Sequence, residues 1–280
     1  MTLVAGIDIG STTAKIVLIK DGLPVVSAIA PTGADCNAAA RRVISTSLKE
    51  IKMKEEDIGY MVATGYGRRA IDFGNEVITE ISANARGAVY LGSEKGKVKS
   101  IIDVGGQDTK AIVLNESGKI TNFVMNDKCA AGTGRFLDVI ARSLQEPIDN
   151  FVRLSLASTN PTTISATCTV FAESEVISLI AKKIDKKDII AGIHKSIAKR
   201  IIDLGKVAGI KPIIFFDGGG AYNIALKREM EKEIGYEIYV PSCPQVVVAL
   251  GAAIVAFEKL SKQPMISKPQ NLDFPVLYFN

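Results

Sequence analysis

The sequence contains one pattern twice, as IDIGSTTAKIVLI at residues 7–19 and as IDVGGQDTKAIVL at residues 102–114. Aligned on each other, the two stretches match at Asp8 and Asp103, at Gly10 and Gly105, and at Lys15 and Lys110. Each copy is a short apolar strand that ends in Asp-x-Gly, followed by a polar turn and a second apolar strand, which predicts a β-hairpin. Because the copies lie far apart along the chain, they indicate two similar α/β domains rather than a solenoid, whose repeats are shorter.

Strand and helix patterns alternate around these hairpins, which is typical of α/β architecture. Helical spacing predicts helices over residues 38–52, 136–144, 170–183, 188–205 and 245–260, and an apolar run predicts a strand at 213–216. We expect a first domain over residues 1–98, rejoined by a C-terminal segment over about 245–280, and a second domain over residues 99–244. The tail from Gln263 to Asn280 is predicted to be an extended surface segment.

Composition narrows the classes of function. The chain has 280 residues, a net charge of +4 and 47% apolar residues, so it is long enough for two domains and neither strongly basic nor disordered. The longest apolar run, Val246–Phe257, is shorter than the roughly 20 residues of a membrane helix, and the N-terminal sequence does not resemble a secretory signal. We therefore expect a cytoplasmic protein that binds neither nucleic acid nor membrane. The single histidine, His194, argues against Ser-His-Asp triads and is expected at the surface or its boundary.

The turns of both hairpins favour phosphate binding. A single Asp-x-Gly is most often only a hairpin turn, but two in register, with the later run Gly218–Gly220, favour a nucleotide cleft. Asp8 and Asp103 suit a hydrated Mg²⁺, whereas Lys110 could equally be a solvated hairpin residue. The predicted nucleotide-binding residues are Gly10, Ser11, Thr12, Thr13, Lys15, Gly105, Gly106, Gln107, Gly218, Gly219 and Gly220. The predicted catalytic residues are Asp8, Asp103, Gln107 and Asp108, of which Gln107 or Asp108 would orient the attacking water.

Two of the four cysteines precede predicted helices. Cys129 stands before a glycine turn and a helix, and Cys168 stands at the start of the next helix, where Glu173 and Glu175 are expected to stabilise the helix N-terminus. A helix N-terminus suits a thiolate or an anionic thiolate–metal cluster, although a free cysteine is most often a small buried apolar residue. Two cysteines cannot complete a four-cysteine site, whereas a symmetric dimer would supply four.

Taken together, these motifs resemble those of a known family. The stretches Gly6–Thr13, Asp103–Asp108, Cys129–Phe136 and Phe171–Val176 are similar to the activator ATPases of 2-hydroxyacyl-CoA dehydratases, relatives of the ATPase subunits of benzoyl-CoA reductase. The glycine turns resemble the phosphate-1, phosphate-2 and adenosine motifs of the superfamily of actin, sugar kinases and heat-shock chaperones. The resemblance implies a duplicated ribonuclease H-like, actin-like ATPase fold with an interdomain nucleotide cleft. We also assign to this cleft Gly132 and Gly134 of the third stretch.

The resemblance further implies a redox chemistry. It implies an oxygen-sensitive homodimer with one 4Fe–4S cluster at the subunit interface, ligated by Cys129 and Cys168 of each chain. This replaces the interpretation of the two cysteines as buried apolar residues. ATP hydrolysis would drive one electron from the cluster into a 2-hydroxyacyl-CoA dehydratase or a benzoyl-CoA reductase-like partner, and reduced ferredoxin or flavodoxin would recharge it. Cys36 is expected to be structural and Cys243 a local substitution. The adenosine loop Asp217–Asn223 departs from the family pattern by an added acid and a missing lysine.

Two other classes of function remain open. A small-molecule kinase of the same superfamily, such as an amino-sugar kinase, would use Asp103 or Asp108 as general base. A nucleotide-gated interaction protein would bind ATP without transferring an electron or a phosphoryl group to a small molecule. Bound iron would separate the activator from both, because neither rival uses a cluster at a subunit interface.

Overall fold

In the computed structural model, residues 2–165, 168–265, 268 and 273–279 are described, and they form two compact units. The first unit consists of Met1–Val98, Leu114–Ile120 and Pro241–Asn280, and the second of Lys99–Val113 and Thr121–Val240. Each unit is built on one mixed β-sheet.

Each unit begins with three consecutive strands, and helices and further strands follow them along the chain. The strands are β1 Leu3–Ile9, β2 Thr13–Lys20, β3 Leu23–Pro31, β4 Ile58–Thr64, β5 Glu76–Val77, β6 Ser100–Val104, β7 Thr109–Leu114, β8 Ile120–Asn126, β9 Ile214–Asp217, β10 Ile238–Tyr239 and β11 Val276–Tyr278. The helices are α1 Cys36–Glu50, α2 Glu80–Gly92, α3 Gly134–Leu144, α4 Asp149–Leu156, α5 Thr169–Ala181, α6 Lys186–Ala208, α7 Ile224–Ile234 and α8 Val247–Ser261.

The sheet of the first unit has the strand order β11-β3-β2-β1-β4-β5. Strand β1 is buried along its whole length, and its odd-numbered residues from Leu3 to Ile9 join the apolar residues of α1 in one core. On the opposite face, α8 lies directly on β1, since a Cβ at Gly6 would fall 2.0 Å from the backbone nitrogen of Ala253. Helix α8 is therefore a core element of this unit.

The apolar composition of this C-terminal helix follows from that position. The segment Pro244–Ser261 has the length and mean hydropathy (1.4) of a membrane-spanning helix, and 67% of it is buried inside the protein. A core helix packed on a sheet meets the same criteria of length and composition.

The sheet of the second unit has the strand order β10-β9-β6-β7-β8. Strand β6 pairs antiparallel with β7 and parallel with β9, just as β1 pairs antiparallel with β2 and parallel with β4. One large core joins Ile102 and Val104 of β6 to the buried faces of α3 to α7. Both predicted hairpins are confirmed, and the duplication extends to the parallel strand beside each hairpin.

The predicted helices are present with small differences at their ends, as α1, α3, α5, α6 and α8. Helix α6 is longer than its apolar pattern because Asp185 caps it at one end and Gly209 adopts the left-handed conformation at the other. The described part of the C-terminal tail agrees with the predicted extended surface segment, and Val276–Tyr278 forms the edge strand of the first sheet beside β3. Residues 266, 267, 269–272 and 280 of that tail, and Ala166 and Thr167 before α5, lie outside the described residues.

Candidate functional site

The first hairpin holds a buried ion pair next to its turn. Asp8 of β1 faces Lys15 of β2 across the hairpin, and Lys15 Nζ donates to Asp8 Oδ2 at 2.9 Å. Asp8 is buried, and among the described residues its Oδ1 has no hydrogen-bond partner. Because a buried polar atom is rarely left unsatisfied, this oxygen fits a water of a hydrated Mg²⁺. Beyond it, the exposed Ser11 and Thr12 form the tip of the turn.

The second hairpin has a different arrangement of charge. Lys110 Nζ lies 3.2 Å from Asp103 Oδ2 and 2.9 Å from Asp108 Oδ1, and Lys110 is 1% exposed. The alternative of a solvated lysine is therefore wrong. Asp217 of β9 is paired in register with Asp103 and is also buried. Asp108 Oδ2 has no hydrogen-bond partner among the described residues, so, like Asp8 Oδ1, it suits a water of a hydrated Mg²⁺.

A glycine with positive φ supports the aspartate of each hairpin. Gly218 follows β9, and a Cβ there would fall 2.5 Å from Asp103 Oδ1. Gly65 follows β4 in the same way, and its Cβ would fall 2.3 Å from Asp8 Oδ1. Sequence reasoning selected Gly218 but missed Gly65, although the glycine-rich run Thr64-Gly65-Tyr66-Gly67 was an available turn signal. Both aspartates thus lie against a turn that only glycine can form without strain.

The predicted adenosine loop continues from Gly218 into a short 3₁₀ turn, Gly219–Tyr222, and then into α7. Asn223 caps α7 by accepting from the Leu226 amide at 3.0 Å, and its Nδ2 donates to His194 Nε2 at 2.8 Å. His194 in turn donates from Nδ1 to the carbonyl of Ile190 at 3.1 Å. Both ring nitrogens are used by a neutral imidazole in this arrangement.

His194 is fully buried, so the expectation of a surface or boundary position is wrong. Burial lowers its pKa to about 4. It lies on the face of α6 that carries Ile190, Ile197 and Ile201, all of which are in the core. The helical spacing of these residues was visible in the sequence, but the single polar residue was not assigned to their face.

The two cysteines of the family motifs lie in the second unit, at two helix starts. Cys168 is half-buried and forms the N-cap residue of α5. Cys129 is exposed and precedes α3, and its loop is held by Asn126, whose Nδ2 donates to the carbonyls of Cys129 (3.0 Å) and Ala131 (3.2 Å). Neither cysteine is a small buried core residue. Cys36 and Cys243 belong to the first unit, and burial raises the pKa of Cys243.

Arg200 of α6 lies beside the Cys129 loop. It lines a cleft of about 420 Å³ together with Cys129, Gly132 and Asp203. Burial lowers the pKa of Arg200, and the charges of Cys129 and Cys168 act in the opposite direction. A cation at this place suits an anionic thiolate cluster. Within the described part of the chain, no group of three or more His, Cys, Asp or Glu side chains gathers as a metal site, so the two thiols fit a cluster only if a second chain supplies the others.

The acidic residues of α5 have a different role from the one expected. Helix α5 begins at Thr169 and has no acidic residue in its first turn. Glu173 accepts a hydrogen bond from Ser143 Oγ of α3 at 2.8 Å, and Glu175 accepts from the Ser165 amide at 3.1 Å. These carboxylates therefore tie α5 to neighbouring segments of the second unit rather than stabilising the helix N-terminus.

Comparison with known proteins connects this geometry to a family of ATPases. A model of the BadF/BadG/BcrA/BcrD ATPase family matches residues 5–256. The (R)-2-hydroxyglutaryl-CoA dehydratase activating ATPase of Acidaminococcus fermentans is 44% identical over 259 residues, which are 92% of this chain and 98% of that protein.

Solved structures agree with this result. The activator of the 2-hydroxyisocaproyl-CoA dehydratase from Clostridium difficile, with bound ADPNP, is 42% identical and superimposes with a TM-score of 0.87 over 93% of this chain and 96% of its own. A ROK family glucokinase from Streptomyces griseus, 13% identical, reaches a TM-score of 0.56 over 91% of this chain and 99% of its own. The latter likeness shows the fold alone, and it confirms the prediction of an actin-like ATPase and sugar kinase fold.

Proposed function

This chain belongs to the BadF/BadG/BcrA/BcrD ATPase family, and from that premise we propose that it is an ATP-driven single-electron donor that activates a 2-hydroxyacyl-CoA dehydratase or a benzoyl-CoA reductase-like partner. The observation that carries the proposal is the pair Cys129 and Cys168 of one unit, of which Cys168 is the N-cap residue of α5 and Cys129 lies exposed in the loop before α3. Membership of the family accounts for the ATPase activity, and the two cysteines would ligate the electron carrier.

Each unit offers a phosphate-binding turn to ATP. In the first unit, Gly10 and the residues Ser11–Thr13 would donate to phosphate oxygens, and Lys15 would add a positive charge. In the second unit, Gly105 and Gly106 would do the same, Gln107 or Asp108 would orient the attacking water, and Gly218–Gly220 would contact the adenosine. A Mg²⁺ ion held through water by Asp8 and Asp103 would neutralise charge on the phosphates.

We place a 4Fe–4S cluster between two copies of the chain, each contributing Cys129 and Cys168. When bound, such a cluster supplies a single electron at low potential. The surface of α5 supports a subunit interface beside Cys168, because Val170, Phe171 and Ile177 are all more than half exposed. A second copy of the chain would cover these apolar side chains and bring the two further thiols that the cluster needs.

The partners follow from this role. Reduced ferredoxin or flavodoxin would return an electron to the cluster, and ATP hydrolysis would drive that electron into the dehydratase or reductase. The proposal places the protein in the cytoplasm, without a nucleic-acid or membrane partner. A low-potential cluster at a subunit interface also implies sensitivity to oxygen.

The test is the iron and acid-labile sulfide content of protein purified without oxygen. We expect about two irons per chain, which is half of one four-iron cluster, and an absorption band that bleaches on reduction. The variants Cys129→Ser and Cys168→Ser should each lose iron and sulfide, whereas the matched control Cys36→Ser, in the first unit, should keep both. Light scattering should give the mass of a dimer. Iron-free protein that still hydrolyses ATP would overturn the electron-donor proposal and favour the amino-sugar kinase alternative.

A further inference from the structure

The turn of the second hairpin is hydrogen-bonded directly to the segment that carries Cys129. The Gly134 amide donates to the carbonyl of Gly105 at 3.0 Å, and the Arg135 amide donates to the carbonyl of Gly106 at 2.9 Å. These two donors belong to the first turn of α3, five and six residues after the cysteine. The phosphate-binding turn and the start of the helix that follows the Cys129 loop are thus joined by hydrogen bonds.

Helix α3 depends on these carbonyls because it lacks the usual side-chain cap. The amides of the first helical turn have no partner within a helix, and Thr133, at the N-cap position, makes no capping hydrogen bond with its side chain. Its hydroxyl instead donates to the carbonyl of Ala130 at 2.7 Å. The hairpin turn therefore takes the place of the N-cap, and a rotation of its carbonyls changes the support of α3.

The chemistry of the peptide bond connects those carbonyls to the phosphate side of the turn. The carbonyl of Gly105 and the amide of Gly106 belong to one planar peptide unit, as do the carbonyl of Gly106 and the amide of Gln107. If the phosphate pulls the amides of Gly106 and Gln107, the carbonyls must turn with them. The presence or loss of a phosphate at this turn is then felt at the first turn of α3.

A third hydrogen bond fixes the loop closer to the cysteine. Thr109, the first residue of β7, donates from Oγ1 to the carbonyl of Gly132 at 2.7 Å, and this bond is buried. Gly132 has a φ of +94°, so its position depends on a turn geometry that other residues rarely adopt. On the other side, Asn126 holds the carbonyls of Cys129 and Ala131. The loop is thus clamped by β7 and by the end of β8.

We propose that Thr109 is a positioning residue that couples the nucleotide state of the second hairpin to the Cys129 loop. The inference rests on the proposed function in one respect, because it takes the hairpin turn as a phosphate site. Thr109 transmits the movement because it follows the turn directly in the chain and holds the cysteine loop through its hydroxyl. It contacts neither the nucleotide nor the cluster in this scheme.

The test measures the alkylation rate of Cys129 by mass spectrometry in the iron-free protein, with ADP or with the non-hydrolysable analogue ADPNP bound. In the unsubstituted protein we expect the two rates to differ. Thr109→Val keeps the shape of the side chain and removes the hydroxyl, so most of the difference should be lost, and the remainder would be carried by the backbone bonds of Gly134 and Arg135 to the turn. Thr109→Ser keeps the hydroxyl and should restore the full difference. A purely structural role of Thr109 would change both rates alike and leave their ratio as it was.

The matched control is Thr121→Val. Thr121 of β8 also donates from its hydroxyl to a backbone carbonyl, that of Val113 at 3.2 Å, but it has no link to the cysteine loop among the described contacts. In Thr121→Val the ratio of the two Cys129 alkylation rates should therefore be unchanged. A Thr109→Val protein that binds both nucleotides and keeps the full difference overturns the proposal, as does an unsubstituted protein that binds both and shows none. Because free thiols are measured, a missing cluster does not affect this test, and the iron analysis reports that failure separately.

Discussion

The two hairpins have the same topology but differ in how far their lysine is buried and in how many carboxylates surround it. In the first, one aspartate faces one lysine, and the Lys15 side chain is still 15% exposed. In the second, Lys110 is enclosed and contacts two aspartates, with Asp217 paired beside them. The duplication has therefore kept the backbone and changed the charge.

The difference indicates two separate roles for the matched lysines. Lys15 keeps access to solvent, as a side chain that meets an incoming phosphate must. Lys110 has no such access and instead holds the side chains of Asp103 and Asp108 in place. A buried ammonium between two carboxylates compensates part of the cost of placing them in a medium of low polarity. The catalytic aspartates of our proposal are thus positioned by a residue that never reaches the substrate.

The largest effect is expected from the lysines themselves. Lys110→Met would leave Asp103 and Asp108 buried without their cation, and breaking such a pair costs about 3–5 kcal/mol. Lys15→Met leaves one buried carboxylate, Asp8, without its cation at a place that solvent still reaches, so it should cost less, about 2 kcal/mol. The free energy of unfolding in urea measures both. Equal losses in the two variants would contradict the distinction between an enclosed and an accessible lysine.

Acid should destabilise the second unit more than the first, because the only histidine of the sequence lies in the second. Burial lowers the pKa of His194 to about 4, whereas histidine in an unfolded chain titrates near 6.5, a difference of about 3 kcal/mol. Between these values the unfolded state binds a proton that the folded state excludes. His194 therefore does not lower the free energy of unfolding above about pH 6.5, and that free energy falls as the pH decreases from 6.5 towards 4.

Amide hydrogen exchange at several pH values between 7 and 4 measures this effect for each unit. We expect protection in α6 and α7 to fall before protection in β1 to β4. His194→Gln removes the titrating group and keeps a polar side chain toward Asn223, so its unfolding free energy should depend less steeply on pH. The same slope in both proteins would show that His194 does not cause the acid sensitivity.

The sequence predicted the part of the fold that local patterns determine. Both hairpins and five helices could be predicted because alternation and helical spacing are properties of short segments. Helix α2 was missed because it packs through small residues, and a Cβ at Gly251 of α8 would fall 1.7 Å from the carbonyl of Ala83. An Ala- and Gly-rich helix has no apolar stripe to detect.

The burial of individual polar residues was harder to predict. The enclosed position of Lys110 depends on elements distant in sequence that cover both faces of β7, and a period of two along one strand does not contain that information. The same holds for Gly65, whose role depends on the parallel pairing of β4 with β1. The site residues near the Asp-x-Gly turns could be selected from sequence, whereas the residues that support them required the tertiary structure.

Substitution of Gly65 and Gly218 tests whether the two hairpins still share the close packing of a glycine turn against their aspartate. Gly65→Ala and Gly218→Ala would each press a Cβ against an aspartate Oδ1 and a backbone carbonyl. Gly33→Ala and Gly235→Ala are matched controls, one in each unit, because both glycines have positive φ with nothing within 4 Å of the added carbon. The controls measure the strain of the left-handed conformation alone, about 1–2 kcal/mol.

The excess of each variant over its control measures the contacts of the added carbon with the aspartate and with the backbone carbonyl beside it. We expect an excess of about 1–2 kcal/mol at both positions, as for other overpacked sites, measured as the free energy of unfolding. Similar values would show that the support of the aspartate has been conserved between the units while the charges around it changed. An excess at Gly218 without one at Gly65 would show that Asp8 can move away from β4, and the two hairpins would then differ in rigidity as well as in charge.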